Sequence, residues 1–242
     1  MLKTANYKFE RIEKKFWLSA EQFRALNPTL TEKMKMDEHG ESTVCSIYYD
    51  TPDYALIRRS IERPRFKEKL RIRSYGIPRD SDEVFVEIKR KLNGIGYKRR
   101  AFMPFSDAKR LLRGEPTNCA DPQLEAELLA FVERYHPRPM VYLTYRRYAL
   151  TAEDDPRFRV TIDRDLRYRL LEAENPSEIG MRPIMADESM ALMEIKAMGA
   201  IPSWFVRKMG RLLIYQAPFS KVGECYTRHI APMDIWKGKE LC

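Results

Sequence analysis

Lys69-Leu70-Arg71-Ile72-Arg73-Ser74-Tyr75 alternates charge and hydrocarbon with a period of two. Successive side chains of an extended strand point to opposite faces, so Lys69, Arg71 and Arg73 share one face and Leu70 and Ile72 the other. The same alternation recurs on either side of this stretch. Glu87, Lys89 and Lys91 oppose Val86, Ile88 and Leu92, and Lys98 and Arg100 share a face. Arg11, Glu13 and Lys15 share another, Arg159, Thr161 and Asp163 oppose Val160 and Ile162, and Glu194 and Lys196 oppose Met193 and Ile195. Six strands thus carry a charged face.

Cap and turn signals place the remaining elements. A strand from Tyr7 to Leu18 precedes Ser19, an N-cap with Gln22 three residues on, for a helix that reaches about Leu26 and stops before Pro28. A strand is predicted over Val44 to Asp50 and a short helix over 53–61, with Pro64 at its exit. Residues 83–91 and 96–105 form a hairpin across Asn93-Gly94. Helices follow over 106–112 and 121–135, where Pro122 suits a first turn. Strands over 139–150 and 158–163 flank a polar turn, and 167–171 extends or pairs with them. A strand over 191–196 and a helix from about Ser203 to Tyr215 complete the reading. No obvious linker appears, so the chain reads as a single domain over 1–242, its core at about 7–226 and a C-terminal tail at 229–242.

The 242 residues hold 44 Lys plus Arg against 35 Asp plus Glu, a net +9, an excess that suits nucleic acid, an anionic membrane or phosphate ligands. The N-terminal residues lack the apolar core of a signal peptide, and no run approaches the roughly 18 apolar residues of a membrane helix. Cys45, Cys119, Cys225 and Cys242 are scattered, which reads as four free thiols in a reducing, cytoplasmic compartment. With only His39, His136 and His229, a zinc site or a His-based triad is poorly supported.

Charge density narrows the ligand. Arg58 to Arg73 holds eight basic and two acidic residues, and Glu87 to Arg100 six basic and one acidic. Either the charged faces are the wet outside of an ordinary sheet, or the sheet curls so that they look inward at a polar ligand with helices on the apolar backs. The density favours the second. Converging cations repel unless an anion compensates, and phosphate suits the Arg fork and the Lys point charge. Glu13, Glu87, Asp163 and Glu194 lie beside basic positions on the same faces; they either pair with the arginines or hold a divalent cation against phosphate oxygens. No nucleic-acid motif or basic-aromatic stacking array is evident, so no nucleic-acid partner is expected.

Tyr7-Lys8-Phe9-Glu10-Arg11-Ile12-Glu13-Lys14-Lys15-Phe16 resembles the opening strand of the VTC-type domain, the catalytic domain of vacuolar transporter chaperone polyphosphate polymerases. In the same order follow Lys69-Leu70-Arg71-Ile72-Arg73, Val86-Glu87-Ile88-Lys89, Tyr97-Lys98-Arg99-Arg100, Tyr145-Arg146-Arg147, Arg159-Val160-Thr161-Ile162-Asp163, Met193-Glu194-Ile195-Lys196 and Phe219-Ser220-Lys221. The resemblance covers about residues 7–226. It departs late in the chain, where the eukaryotic members carry two lysines three residues apart and this chain has Pro218 before Lys221.

The resemblance implies an α+β fold, an antiparallel β-barrel of about eight strands (the triphosphate tunnel fold) with helices packed outside. It implies transfer of the ATP γ-phosphate to inorganic polyphosphate, with Mn²⁺ or Mg²⁺. The implied phosphate contacts are Lys15, Arg71, Arg73, Lys89, Lys98, Arg147, Arg159 and Lys221. Among these Lys15, Arg71, Arg73, Lys89 and Arg159, with Glu194, carry catalysis, while Lys98, Arg147 and Lys221 bind substrate. Glu194 is the expected metal ligand, and Glu13 and Glu87 assist through metal-bound water or by orienting bases. Lys15 is preferred to Lys14 by parity with Arg11 and Glu13, and Arg147 to Arg146 by family spacing. A stand-alone enzyme is expected, with a separate membrane protein as partner if the product is translocated. The alternatives are a triphosphate or polyphosphate hydrolase and a non-catalytic polyphosphate-binding module.

Overall fold

The computed structural model describes residues 11–62, 64–117, 119–171 and 179–232. Among them the strands are β1 (Arg11–Leu18), β2 (Met34–Asp50), β3 (Phe66–Tyr75), β4 (Glu83–Leu92), β5 (Ile95–Pro104), β6 (Arg138–Ala152), β7 (Arg159–Leu170), β8 (Arg182–Pro183) and β9 (Ala191–Met198). The helices are α1 (Ala20–Lys33), α2 (Ala55–Ile61), α3 (Phe105–Leu111), α4 (Pro122–Tyr135), α5 (Ser203–Arg211) and α6 (Lys221–Cys225), the last continued by a π-helical turn over Tyr226–Ile230. The sheet order is β1-β9-β7-β6-β2-β3-β4-β5, with the two-residue β8 beside β7. The pairs β1–β9, β9–β7, β7–β8, β2–β3, β3–β4 and β4–β5 are all antiparallel. The expected α+β class, with an antiparallel sheet of about eight long strands, is the observed one. The expected tail lies largely outside the described residues.

The chain folds as two compact units. One comprises Thr43–Tyr145, Leu166–Ala186 and the chain from Ser220. Its core is the face opposite Lys69, Arg71 and Arg73. Leu70, Ile72, Val84, Val86 and Ile88 are each at most 2% exposed and cluster with Leu111 of α3 and Leu124, Leu128 and Phe131 of α4. Burying such a side chain stabilises the fold by about 1.5–3 kcal/mol. The β4–β5 hairpin turns at Asn93 (φ 48°) and Gly94 (φ 88°), the pair of positive φ angles that a two-residue turn matching strand twist demands. Helix α4 begins at Asp121, whose carboxylate accepts from Leu124 N at 2.9 Å, with Pro122 behind it.

The dense basic run sorts itself by parity in this unit. Arg90 and Arg99 fall on the helix side, where Arg90 meets Glu68 at 2.6 Å and also Glu127, and Arg99 reaches Glu127 at 2.9 Å and Asp121 at 2.8 Å. Those two cations tie α4 to the sheet. Lys89, Lys98 and Arg100 fall on the other face.

The second unit contains Arg146–Asp165, Asp187–Phe219 and the chain up to Ser42. Its core joins Phe16 and Leu18 of β1, Leu26 and Leu30 of α1, Val160 and Ile162 of β7, Met193 and Ile195 of β9, and Phe205 and Met209 of α5. The Ser19 capping box is present: Oγ accepts from Gln22 N at 3.1 Å, and Gln22 Oε1 accepts from Ser19 N at 3.0 Å.

Three boundaries differ from expectation. Helix α1 does not stop before Pro28 but runs through it to Lys33, because Leu26 and Leu30, both fully buried, hold the helix on either side. Strand β2 starts ten residues before Val44. Its first half lacks apolar alternation and is held by ion pairs, Asp37 with Arg159 at 3.1 Å and Glu41 with Arg164 at 3.4 Å. Helix α5 ends at Arg211 rather than Tyr215, since Leu213 takes a left-handed conformation (φ 51°) and Ile214 N turns back to Met209 O at 3.0 Å.

Candidate functional site

Strands β2 to β5 bring a set of cations onto one face of the first unit. In register across them stand Tyr48, Arg71, Glu87 and Arg100 in one row, and Lys69, Lys89 and Lys98 in the next. A third row is Ser46, Arg73, Phe85 and Phe102. These three rows together hold six cations and one carboxylate, Glu87.

Glu87 is 1% exposed and accepts from Arg71 Nε at 2.7 Å, while Lys98 Nζ lies 2.5 Å from its other oxygen. Burial opposes its charge, but Arg71, Arg73 and Lys98 overcome this and hold its carboxyl far below the ordinary range. Arg71, 7% exposed, also donates from Nη1 to Tyr48 Oη at 2.9 Å. Burial would raise the Tyr48 phenol; Arg71, Arg73 and Lys69 instead bring it down to about 8. The adjacent Tyr48 and Tyr49 cannot both enter the apolar core, and that was the available signal for Tyr48, which sequence reasoning missed.

Lys69, Lys89 and Lys98 place three ammonium groups side by side, an arrangement that costs energy without a counter-ion. Lys98 leans on Glu87, and Lys69 donates to Ser220 Oγ at 2.7 Å. Lys89 is exposed by surface area, yet dense surrounding protein desolvates its ammonium. That desolvation first, and Arg71, Arg73 and Lys98 after it, push its ammonium down to about 6. Arg73 donates from Nη2 to Tyr145 Oη at 2.9 Å. Arg73 Nε and the directly opposite Ser46 Oγ are buried without a hydrogen-bond partner. Lys221 Nζ sits 4.5 Å from the Tyr145 ring centroid, and Ser220 caps α6 by accepting from Gly223 N at 3.2 Å. Of the residues expected at a site, Arg71, Arg73, Glu87, Lys89, Lys98 and Lys221 thus belong to this unit. Tyr145 and Ser220 had stood in the quoted segments without a role.

The second unit holds the others. On β1 and β9, Lys15 faces Glu194 and Glu13 faces Lys196, a checkerboard of opposite charges. Lys196 Nζ is 2.7 Å and Lys15 Nζ 3.6 Å from the Glu194 carboxylate, and Lys15 is also 3.9 Å from Glu13. Lys15 donates to the Phe219 carbonyl at 3.3 Å. Thr161 stands opposite Glu194 on its β7 side. Arg147 grips the fully buried Asp163 with two bonds of 2.6 and 2.8 Å, whereas Arg146 reaches the exposed Glu41 at 3.6 Å. Arg159, opposite Lys196, pairs with Asp37.

Among the described residues no three His, Cys, Asp or Glu side chains gather as a ready-made metal cage. Mg²⁺ and similar ions commonly use one or two carboxylates and complete their shell with water and substrate phosphate. Glu194, largely buried and flanked by Glu13 across Lys15, fits that sparse donor set. The Glu87 oxygens meet Arg71 and Lys98 much as those of Glu194 meet Lys15 and Lys196, so at either carboxylate an ion would share the oxygens with paired cations. The described helices include none long and apolar enough to cross a membrane. Cys119 and Cys225 are free thiols.

Comparison with known proteins adds the following. The family model described as the VTC domain matches residues 10–229. The vacuolar transporter chaperone complex subunit 4 of Trypanosoma brucei brucei is 28% identical over 155 residues, 52% of this chain and 20% of that protein, so the match spans about a fifth of the relative's length. Among solved structures, the PH1819 protein from Pyrococcus horikoshii OT3 aligns with a TM-score of 0.46 and 11% identity, over 88% of this chain and 97% of that one. A putative adenylate cyclase from Vibrio parahaemolyticus aligns with a TM-score of 0.44 and 11% identity, over 87% and 94%.

Proposed function

This chain belongs to the VTC-domain family, and from that premise we propose that it is a CYTH-like triphosphate-tunnel enzyme, a polyphosphate polymerase transferring the γ-phosphate of ATP to inorganic polyphosphate. Membership is consistent with phosphotransfer in general. The polymerase reading is supported above all by the crowded row Lys69–Lys89–Lys98, in which Lys89 is held near pKa 6 beside Arg71 and Arg73. Such a face is under-neutralised, and a phosphate chain is the ligand that relieves it. Arg73 Nε and Ser46 Oγ supply donors with no partner inside the protein, suited to phosphate oxygens.

Phosphoryl transfer demands little covalent chemistry from protein groups; it needs in-line placement and neutralised equatorial oxygens. In this proposal Arg71, Arg73 and Lys89 hold and neutralise phosphate, with Lys98 and Lys221 as further contacts. Glu87 orients Arg71 and Lys98. Lys15, Arg147 and Arg159 are assigned phosphate contacts on the strength of the family motifs. Glu194, assisted by Glu13, would hold Mn²⁺ or Mg²⁺, an ion that supplies charge neutralisation to a bound triphosphate. The acceptor end of polyphosphate is already anionic, so no strong general base is required, in keeping with three histidines in the whole chain. A cytoplasmic location and a membrane-protein partner belong to the same proposal; the curated relative is named as a subunit of a complex.

The test is incubation of the full chain with ATP and Mn²⁺, the products resolved by size. Long phosphate chains are expected. Orthophosphate alone would replace the reading with a hydrolase, and no turnover with retained tripolyphosphate binding would replace it with a binding module.

A further inference from the structure

The cationic face of β3–β5 continues into an aromatic one. Phe85 and Phe102 are cross-strand partners in the same row as Arg73, and Tyr75 lies two residues beyond Arg73 on the same side of β3. Phe85 and Phe102 have ring centroids 5.0 Å apart at 38°, and Tyr75 meets Phe85 edge-on at 6.3 Å and 90°. The Arg100 guanidinium sits 4.9 Å from the Phe85 centroid. These rings do not belong to the hydrophobic core, which occupies the opposite face through Val84, Val86, Ala101 and Met103. Tyr75 stays 60% exposed and Phe102 51%.

We infer that Tyr75, Phe85 and Phe102, with Arg100, form a stacking platform for the base of a nucleoside triphosphate whose phosphates lie on Arg71, Arg73 and Lys89. The inference rests on the phosphate-binding reading above and adds the subsite that distinguishes a nucleotide from an inorganic chain. Continuity fixes the occupant. One row along a strand is about 6.8 Å, so the rings begin within a sugar's length of Arg73, and Arg73 itself shares their row. An inorganic phosphate chain gains nothing from ring surface. A purine gains dispersion and stacking on Phe102 and Tyr75 and a cation over its neighbour, the combination by which aromatic platforms hold bases without reading their edges.

The experiment is calorimetric titration of the full chain, without divalent metal so that no turnover occurs, using ATP and inorganic tripolyphosphate as separate probes. Phe102→Ala is expected to weaken ATP by about tenfold and to leave tripolyphosphate within twofold. Phe102→Trp should keep ATP binding at or above the wild-type level, and Phe102→Leu, which preserves bulk but not the π-face, should behave like the alanine variant. Equal losses for both probes in a variant that melts as wild type, or no loss for either, overturns the platform alone. Wild-type protein that binds no tripolyphosphate overturns the phosphate-binding reading beneath it, and the platform with it.

Discussion

Arg71 and Glu87 stand directly opposite each other on β3 and β4, joined at 2.7 Å through Nε and 2.6 Å through Nη2, with side chains 9% and 1% exposed. Losing one partner of such a buried pair leaves an uncompensated charge, at a typical cost of about 3–5 kcal/mol. Glu87→Ala strands Arg71 and releases Lys98 onto Lys89, so it is expected to cost that much in chemical denaturation. The double change Arg71→Met, Glu87→Leu should cost clearly less than the sum of the single ones. Additive losses would show that the two residues do not act as a pair.

The same carboxylate sets the acid limit. Its folded-state pKa is depressed, so the unfolded chain takes up the proton first on acidification. The stabilisation is complete above the ordinary carboxylate range and is lost as pH falls through and below it. The wild-type protein should lose stability below about pH 4, and Glu87→Gln should flatten that dependence. An unchanged slope in the variant would assign acid sensitivity to other groups.

Lys89 gives the same sign in a higher pH window. Its folded pKa of about 6 lies below the ordinary lysine value, so between the two the unfolded state binds more protons and stability rises with pH. A bound anion restores the charge, so anion binding in that window takes up a proton. Sulfate, which does not titrate here, should therefore bind more tightly as pH falls from 8 to 6, with Lys89→Met abolishing most of the dependence. A flat profile in the wild type would mean that Lys89 does not face the anion.

Much of this site is written locally, and parity is what makes it readable. Lys69, Arg71 and Arg73 alternate with buried Leu70 and Ile72, and the Asn93-Gly94 turn sets the register that aligns Lys89 with Lys98. Parity also separates Arg90 and Arg99 from the site, although composition alone counts them with Lys89 and Lys98. What stayed hidden depends on partners remote in sequence. Over 37–43 strand β2 is polar on both faces and is paired through arginines more than a hundred positions away. Ser220 meets Lys69 across 151 residues, and Tyr145 meets Arg73 across 72. No local period announces such contacts.

Pro28 tests how far packing can override propensity. It sits inside α1, where it removes one backbone hydrogen bond and crowds the preceding turn, while Leu26 and Leu30 on either side are fully buried. Pro28→Ala should therefore stabilise the protein, by about 1–3 kcal/mol, seen as a higher melting temperature. Ser19→Ala, which deletes the capping box at the start of the same helix, should cost about 1 kcal/mol. A destabilised Pro28→Ala would mean that the proline ring itself is needed for the packing of α1.

Arg73 and Glu194 separate binding and catalysis from folding. Arg73 makes one neutral bond, to Tyr145, keeps Nε without a partner and shares with Arg71 and Lys98 the attraction on Glu87, so its loss leaves the Arg71–Glu87 pair in place. Glu194→Gln preserves shape while removing the charge that Lys15 and Lys196 surround. Arg73→Ala and Glu194→Gln should each remain folded and each lower turnover of ATP by tenfold or more. The two losses should differ in kind. Arg73→Ala should weaken tripolyphosphate binding without metal, whereas Glu194→Gln should leave metal-free binding intact and raise the Mn²⁺ concentration needed for half-maximal activity. If Glu194→Gln kept the wild-type metal dependence, Glu194 would be a structural partner of the two lysines and the divalent ion would have to be held elsewhere.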